Sequence, residues 1–148
     1  MEIRRARPDD VDAILEMERE CFSDPWGEKD IFGYIATEGG MCFVAAEGGR
    51  AIAYLIGRII APEGEIYRIA VHPDYRRRGI GYRLLDYSRK TERCRGLETL
   101  FLEVRSKNIP ARALYRAYGF RELGLRRWYY KNPDDDAVIM LLGRLNEE

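Results

Sequence analysis

The sequence predicts an α/β fold, in which a mixed sheet carries helices on both of its faces. Two observations lead to this class. Segments with the apolar spacing of strands are interspersed with segments that have the spacing of helices. They follow the order β-α-α-β-β-β-α-β-α-β-β, with glycine, proline and aspartate in the turns. The 148 residues contain neither an internal repeat nor a long linker, so we expect residues 1–148 to form a single domain.

The first half of the chain predicts three strands and two helices. They are strand 2–6, a helix over residues 8–22, a helix over residues 28–37, strand 41–47 and strand 50–61. Pro8-Asp9-Asp10 is typical of a helix start, and residues 23–27 interrupt the helical pattern with a proline and a glycine. Gly39-Gly40 ends the second helix, and Gly48-Gly49 is typical of a hairpin turn.

The second half predicts four strands and two helices. They are strand 66–71, a helix over residues 80–93, strand 98–104, a helix over residues 108–119, strand 120–130 and strand 137–145. Asn108 is a suitable cap for its helix, Pro110 suits the first turn, and Gly119 suits the end. Gly124 is expected to interrupt the strand that contains it.

The composition argues against several classes of protein. The 25 basic residues balance the 25 acidic ones, so nothing global favours binding to nucleic acid or to an anionic membrane. No apolar run approaches the roughly 20 residues of a membrane span, and the N-terminus lacks the apolar core of a signal peptide. Cys21, Cys42 and Cys94 form no Cys-x-x-Cys pair, so we expect free thiols in a reducing cytoplasm and no metal site.

A basic, glycine-containing loop follows the strand 66–71 and reads Arg76-x-x-Gly79-x-Gly81. A helix that begins here offers unpaired backbone N–H groups and the positive end of its dipole, which suits a phosphate or pyrophosphate. The loop is not a Walker A motif, because no Gly-Lys-Ser/Thr follows. The alternative is an ordinary strand-to-helix turn with a solvated basic face.

A second group of candidate residues lies downstream, at Glu103, Asn108 and Tyr115. A carboxylate inside an apolar strand is costly unless it is paired or takes part in chemistry. The structural alternative for Glu103 is an ion pair with Arg105, two residues along the same strand face. The structural alternative for Tyr115 is a core aromatic residue.

Together these motifs resemble the GNAT superfamily of acetyl-CoA-dependent N-acetyltransferases. The resemblance depends on Arg-x-x-Gly-x-Gly after a strand and on Asn-x-x-Ala-x-x-Leu-Tyr-x-x-x-Gly-Phe from Asn108 to Phe120. Further segments resemble the RimI branch, which acetylates protein N-termini, notably an alanine of a ribosomal protein. They are Asp24-Pro25-Trp26, Ile69-Ala70-Val71-His72-Pro73, Leu102-Glu103-Val104-Arg105, Arg126-Arg127-Trp128-Tyr129-Tyr130 and Asp135-Asp136-Ala137.

The resemblance implies a role for individual residues. Those implied to bind acetyl-CoA are Ile69, Ala70 and Val71 through their backbone, then Arg76, Arg77, Arg78, Gly79, Ile80, Gly81, Tyr82, Asn108 and Tyr115. Glu103 is implied to act on the incoming amine and Tyr115 on the sulfur of the thioester, with Glu65 as the alternative base. The residues implied to flank the peptide are Phe22, Trp26, Tyr129 and Tyr130, for which the alternative is simple aromatic packing.

The expected function is therefore acetyl transfer from acetyl-CoA to the N-terminus of a protein, such as a ribosomal protein, by direct attack of the amine in a ternary complex. An α-amino group has a pKa of about 7.7–8.0, so a base must remove its proton before attack. The alternatives within enzymes are acetylation of a lysine side chain or of a small amine such as a polyamine. The alternatives outside enzymes are a CoA-binding module without activity and a nucleic-acid binder using Arg76 to Arg78. The oligomeric state stays open.

Overall fold

The predicted order of elements is confirmed in a computed structural model, which describes residues 1–143. The strands are β1 Glu2–Arg5, β2 Gly40–Glu47, β3 Arg50–Ile60, β4 Glu63–Val71, β5 Thr99–Arg105, β6 Arg121–Tyr130 and β7 Asp135–Gly143. The helices are α1 Val11–Cys21, α2 Glu28–Ala36, α3 Ile80–Arg93 and α4 Ile109–Tyr118. The strands form one seven-stranded sheet in the order β1-β2-β3-β4-β5-β7-β6, and only the β4–β5 pair is parallel within the described chain.

Some element boundaries differ from those predicted. β4 begins at Glu63 rather than at residue 66, because Glu63 pairs with Ile60 on one side and with Thr99 on the other. β7 begins at Asp135 rather than at residue 137 because Asp135 pairs with Tyr130. Residues 144 and 145 of the predicted last strand lie outside the described residues. The first helix is preceded by a separate 3₁₀ turn, Pro8–Asp10.

Each face of the sheet has its own apolar core. The core under α3 and α4 includes Phe43, Leu55, Leu84, Leu102, Tyr115 and Met140. The core under α1 and α2 includes Ile14, Met17, Ile31, Val44 and Tyr54. Alternate residues of a strand point to opposite faces, so Glu103, between buried Leu102 and Val104, lies on the α1–α2 face. Glu65 lies on the same face, since Ile66 belongs to the opposite core.

An opening between β4 and β5 divides the sheet at its centre. The two strands pair only from Glu63 with Thr99 to Ile66 with Leu102, although β4 continues to Val71 and β5 to Arg105. A bulge in the β3–β4 ladder lies where the separation begins. Gly57 of β3 makes this geometry possible, because a Cβ there would lie 2.3 Å from the carbonyl oxygen of Glu65. Within residues 1–143, the backbone edge of β4 beyond the bulge therefore has no partner strand on the β5 side.

Candidate active site

A cavity of about 760 Å³ lies against the end of β4, between the N-termini of α3 and α4. It is lined by Cys21, Phe22, Ile69, Ala70, Val71, Tyr75, Arg76, Arg77, Gly79, Ile80, Gly81, Tyr82, Asn108, Pro110, Ala111 and Leu114. The residues expected to bind acetyl-CoA are thus brought together here, except for Arg78 and Tyr115. Among the residues expected to flank the peptide, Phe22 reaches this cavity.

The backbone of the basic loop suits an anion. Arg77 and Gly79 adopt left-handed conformations, with φ of +66° and +74°, and Gly79 is the N-cap of α3. The first intrahelical bond runs from the N–H of Arg83 to the carbonyl of Gly79. The backbone N–H groups of Ile80, Gly81 and Tyr82 therefore have no intrahelical acceptor, and all three residues line the cavity. Donors of this kind at a helix N-terminus bind phosphate.

The three arginine side chains of this loop are placed differently. The Nε of Arg76 donates to the carbonyl of Val71 at 3.1 Å, and its Nη2 lies 3.3 Å from the Sγ of Cys21. The guanidinium of Arg78 bonds to the carbonyl of Asp74 at 3.3 Å and stacks on Tyr75. Arg76 thus braces the loop against the end of β4, while Arg77 lines the cavity.

Two further residues of the motifs fix the positions of the helices. A Cβ at Gly81 would lie 3.1 Å from the Cδ2 atom of Leu114, so glycine permits the close approach of α3 to α4. The predicted helix cap at Asn108 is confirmed, because its Oδ1 accepts the N–H of Ala111 at 3.2 Å. The side-chain NH₂ of Asn108 remains available to a ligand in the cavity.

Glu103 forms its ion pair with Arg126 and not with Arg105. The Nε of Arg126 lies 2.7 Å from a carboxylate oxygen of Glu103, whose side chain is 16% exposed. The structural alternative of a Glu103–Arg105 pair is wrong as to the partner, because the guanidinium of Arg105 donates to the carbonyls of Lys131 and Pro133 at 2.8 and 2.7 Å. The sequence named Arg126 only as part of the segment 126–130 and did not indicate its contact with Glu103, since no local pattern links β6 to β5.

A second carboxylate lies near Glu103. Burial and the negative charge of Glu103 raise the pKa of Glu65, and Arg126 offsets part of this effect. The charge of Glu103, partial burial and a hydrogen bond to Glu103 also raise the pKa of the Tyr129 hydroxyl. Glu65 and Glu103 are therefore two candidate bases on one face, and Arg126 and Tyr129 interact electrostatically with both.

Tyr115 is a buried residue of α4 with 5% exposure, and its ring contacts Phe120 edge to face at 5.6 Å. Burial and the neighbouring Tyr130 raise the pKa of the Tyr115 hydroxyl, so the phenol stays protonated at neutral pH. Burial, Glu103 and Tyr129 raise the pKa of Tyr130 to about 12, although Arg105 lowers it. Tyr130 is thus an electrostatic neighbour of both Tyr115 and Glu103, the two expected catalytic groups on opposite faces of the sheet.

Phe22 and Trp26, from the segment between α1 and α2, contact an arginine that sequence reasoning did not single out. The guanidinium of Arg68 lies over both rings. Trp26 also packs on Tyr34, at 4.9 Å between ring centroids. The signal available in the sequence was a charged residue inside the apolar strand 66–71.

This fold, opening and loop define an acyltransferase, and the chain belongs to the acetyltransferase (GNAT) family, whose model matches residues 11–120. The chain is 38% identical over 135 residues to the [ribosomal protein bS18]-alanine N-acetyltransferase of Escherichia coli strain K12, which covers 90% of each chain. It is 36% identical over 141 residues to the N-alpha-acetyltransferase RimI of Mycobacterium tuberculosis, covering 88% of this chain and 85% of that protein.

Solved structures agree with these relatives. The crystal structure of the ribosomal-protein-S18-alanine N-acetyltransferase from Escherichia coli superposes with a TM-score of 0.88 at 35% identity, covering 96% and 92% of the two chains. Ard1 from Thermoplasma volcanium shares the fold at a TM-score of 0.89 and 23% identity, covering 97% of each chain. A putative acetyltransferase from Salmonella typhimurium, solved with acetyl-CoA, shares the fold at a TM-score of 0.83 and 20% identity, covering 97% and 93%.

Two general features complete the site's description. Among residues 1–143, no helix combines the length and apolar character needed to cross a membrane. The same residues contain no cluster of three or more histidine, cysteine, aspartate or glutamate side chains arranged to hold a metal ion.

Proposed function

We propose that this N-acetyltransferase acetylates the α-amino group of a protein N-terminus, with a ribosomal protein as the favoured substrate. The observation that carries the proposal is the opening between β4 and β5. On the α3–α4 side of this opening lies a cavity that suits the acyl donor. On the opposite face of the sheet lie the two carboxylates, Glu65 and Glu103. The names of the relatives from Escherichia coli and Mycobacterium tuberculosis support this choice of acceptor.

The cavity suits acetyl-CoA, which supplies an activated acetyl group as a thioester. The backbone of Ile69 to Val71 pairs with β3 on one side, and on the cavity side it has no partner strand among residues 1–143. The polar groups that face the cavity would pair with the amides of pantetheine. Gly79 and the first amides of α3 would hold the pyrophosphate, with Arg77 adding charge. The NH₂ group of Asn108 would donate to the pantetheine arm.

On the other face, Glu103 or Glu65 would take the proton of the incoming amine. Most of an α-amino group is protonated at pH 7, because its pKa is about 7.7–8.0. The ammonium group is attracted to this acidic pair and competes with Arg126 for Glu103. Once the amine has lost its proton, its lone pair is directed at the acetyl carbonyl through the opening.

Tyr115 is suited to give a proton to the departing thiolate, because its buried hydroxyl is a phenol at neutral pH. A covalent route through Cys21, which also lines the cavity, is disfavoured. Burial raises the pKa of the Cys21 thiol, although Arg76 opposes the effect, so little nucleophilic thiolate is present. The side chains present therefore favour direct attack by the amine.

We also place the protein in the cytoplasm. Cys21, Cys42 and Cys94 are free thiols, which is typical of a reducing compartment, and ribosomal proteins are made there.

Release of CoA from acetyl-CoA, measured with a panel of short peptides, tests the function. The peptides differ in their first residue, and each is also supplied with a blocked N-terminus and an internal lysine. We expect turnover with free N-termini and none with blocked ones. Turnover with the blocked lysine peptides or with spermidine, in the absence of turnover with any free N-terminus, would contradict the proposal.

A further inference from the structure

Glu18 of α1 is a buried carboxylate that the proposed mechanism does not use. Its side chain is 0% exposed. It accepts hydrogen bonds from the hydroxyl of Tyr54, from the guanidinium of Arg68, and from the backbone N–H of Trp26 at 2.7 Å. A buried carboxylate is tolerated only when its charge and lone pairs are compensated in this way. Glu18 thus joins α1 to β3, to β4 and to the segment that follows α1.

The guanidinium of Arg68 of β4 packs against two aromatic rings. The guanidinium carbon lies 4.2 Å from the centroid of the Phe22 ring and 4.1 Å from that of Trp26. Its Nη2 also bonds to Asp24, at 3.1 Å to the carbonyl and 3.3 Å to a carboxylate oxygen. With Glu18 on Nη1 and only 10% of the side chain exposed, Arg68 has little surface left for a substrate. It acts on its neighbours and not on the reacting atoms.

The segment that Arg68 holds is residues 22–27, which connect α1 to α2 without helix or strand. Phe22 of this segment lines the cavity, and Arg68 immediately precedes Ile69, whose backbone faces the same cavity. Arg68 therefore links β4, the strand of the acyl-donor site, to Phe22 and Trp26 of the segment 22–27. A short segment without regular structure keeps one shape only when its backbone and side chains are bound.

We propose that the Glu18–Arg68 pair is a positioning device that fixes residues 22–27 against β4 and thereby sets the affinity for the acceptor peptide. This inference rests on the proposed function. The segment so held carries Phe22, which lines the cavity, and Trp26, which packs between Arg68 and Tyr34 and fixes the segment. The apolar Phe22 ring suits an apolar side chain at the start of a peptide. Loss of the device frees residues 22–27 and weakens peptide binding. The cavity walls formed by β4, α3 and α4 are kept, and Phe22 alone of residues 22–27 reaches that cavity.

The test is Arg68→Lys. Lysine keeps the positive charge beside Glu18. Its ammonium group, however, lacks the planar guanidinium that packs on the two rings and the paired N–H donors that reach both Glu18 and Asp24. We expect the peptide KM to rise about fivefold or more, the range of two lost partly buried cation–π contacts. The acetyl-CoA KM should change less, within about twofold, since Arg68 does not line the cavity and Phe22 is the one residue of the segment 22–27 that does.

The matched control is Arg50→Lys. Arg50 pairs with Glu16 of the same helix α1, but both side chains are more than half exposed. An exposed ion pair contributes little, so we expect both KM values to remain those of the parent protein. A peptide KM that is unchanged by Arg68→Lys, or an acetyl-CoA KM that rises in parallel, would overturn the proposal.

Hydrogen exchange gives a second readout that does not need activity. The N–H of Trp26, which Glu18 accepts, should exchange faster in Arg68→Lys than in the parent or in Arg50→Lys. Unchanged exchange over residues 22–27 would also overturn the proposal. A parent protein that acetylates no free N-terminus would contradict the proposed function, while the exchange rates would still report whether Arg68 holds the segment.

Discussion

At the scale of single residues, the proposed chemistry depends on two carboxylates, Glu103 and Glu65, on one face of the sheet. Glu103 was predictable because a charged residue interrupts an apolar strand. Its pairing with Arg126 was not predictable, because Glu103 is on β5 and Arg126 is on β6, and the helix α4 separates these strands in the chain. The raised pKa of Glu65 comes from burial and from the charge of Glu103, so it too depends on packing. The sequence therefore indicated the candidate bases but not their ionic environment.

Replacing the two carboxylates one at a time should show which is the base. We expect Glu103→Gln to lower kcat by about 100-fold or more, the contribution of a general base, with the acetyl-CoA KM unchanged. Glu65→Gln should lower kcat by less than about tenfold, because the variant loses only a negative charge near the base and not the base itself. Steady-state kinetics with a free N-terminal peptide would measure both.

The ranking of the two variants decides the assignment. A larger loss in Glu65→Gln than in Glu103→Gln would make Glu65 the base. A Glu103→Gln variant that loses affinity for CoA together with its rate would show that Glu103 is structural.

At the scale of elements, the sequence predicts the composition and position of the loop before α3, but not the contacts of its side chains. The glycines and arginines of the loop are visible in the sequence, and they do lie at a helix N-terminus. The side chain of Arg76, however, binds Val71 and Cys21, which the pattern could not indicate. The backbone of this loop is thus a better candidate for the anion site than its arginines taken together.

Gly79 offers a direct test of that backbone. Its φ is +74°, and a Cβ would meet nothing within 4 Å, so alanine introduces strain without a clash inside the protein. We expect Gly79→Ala to lower the free energy of unfolding by about 1–2 kcal/mol. The Kd for acetyl-CoA should rise, because the added Cβ lies where a phosphate must approach. Chemical denaturation and calorimetric titration would measure the two effects.

Gly48→Ala is the matched control for Gly79→Ala. Gly48 also has a left-handed conformation, with φ of +59°, and also has open space around its Cβ position, but it lies in the β2–β3 turn. The loss of stability should be similar, and the affinity for acetyl-CoA should not change. Equal affinities in the two variants would contradict a role for Gly79 in binding.

At the scale of the whole molecule, the attachment of β1 to the start of α1 depends on one buried carboxylate. Arg4 donates two hydrogen bonds to Asp10, at 2.8 and 3.0 Å, and the N–H of Arg7 donates a third at 2.7 Å. Burial raises the pKa of Asp10, but these hydrogen bonds outweigh it, and the pKa lies below its ordinary value of 3.8. Asp10 therefore stabilises the folded protein when it is ionised.

The pH dependence follows from the sign of this shift. The contribution of Asp10 is complete above its ordinary pKa of 3.8 and is lost as the pH falls through the lower value of the folded state. At pH 7 we expect Asp10→Asn to lower the free energy of unfolding by about 1–3 kcal/mol. The difference from the parent protein should shrink below pH 4 or so. Denaturant unfolding between pH 7 and pH 3 would measure it.

Asp12→Asn is the control for this prediction, because Asp12 is an exposed residue of α1 close to Asp10 in the chain. Its loss of stability at pH 7 should stay below about 1 kcal/mol, the contribution of an exposed carboxylate in the first turn of a helix, and so below that of Asp10→Asn. A deficit in Asp10→Asn that persisted unchanged to pH 3 would show that the ionisation of Asp10 is not its cause.

The sequence by itself determined the order of strands and helices, the glycine-containing loop before α3, the cap at Asn108 and the membership of a family of acetyltransferases. These features depend on local patterns, since periodicity, caps and turns involve residues close together in the chain. Only the tertiary structure decided the opening between β4 and β5, the Glu103–Arg126 pair and the enclosure of Arg68. These three features depend on contacts between residues that are far apart in the chain, so they form only when the whole fold is packed.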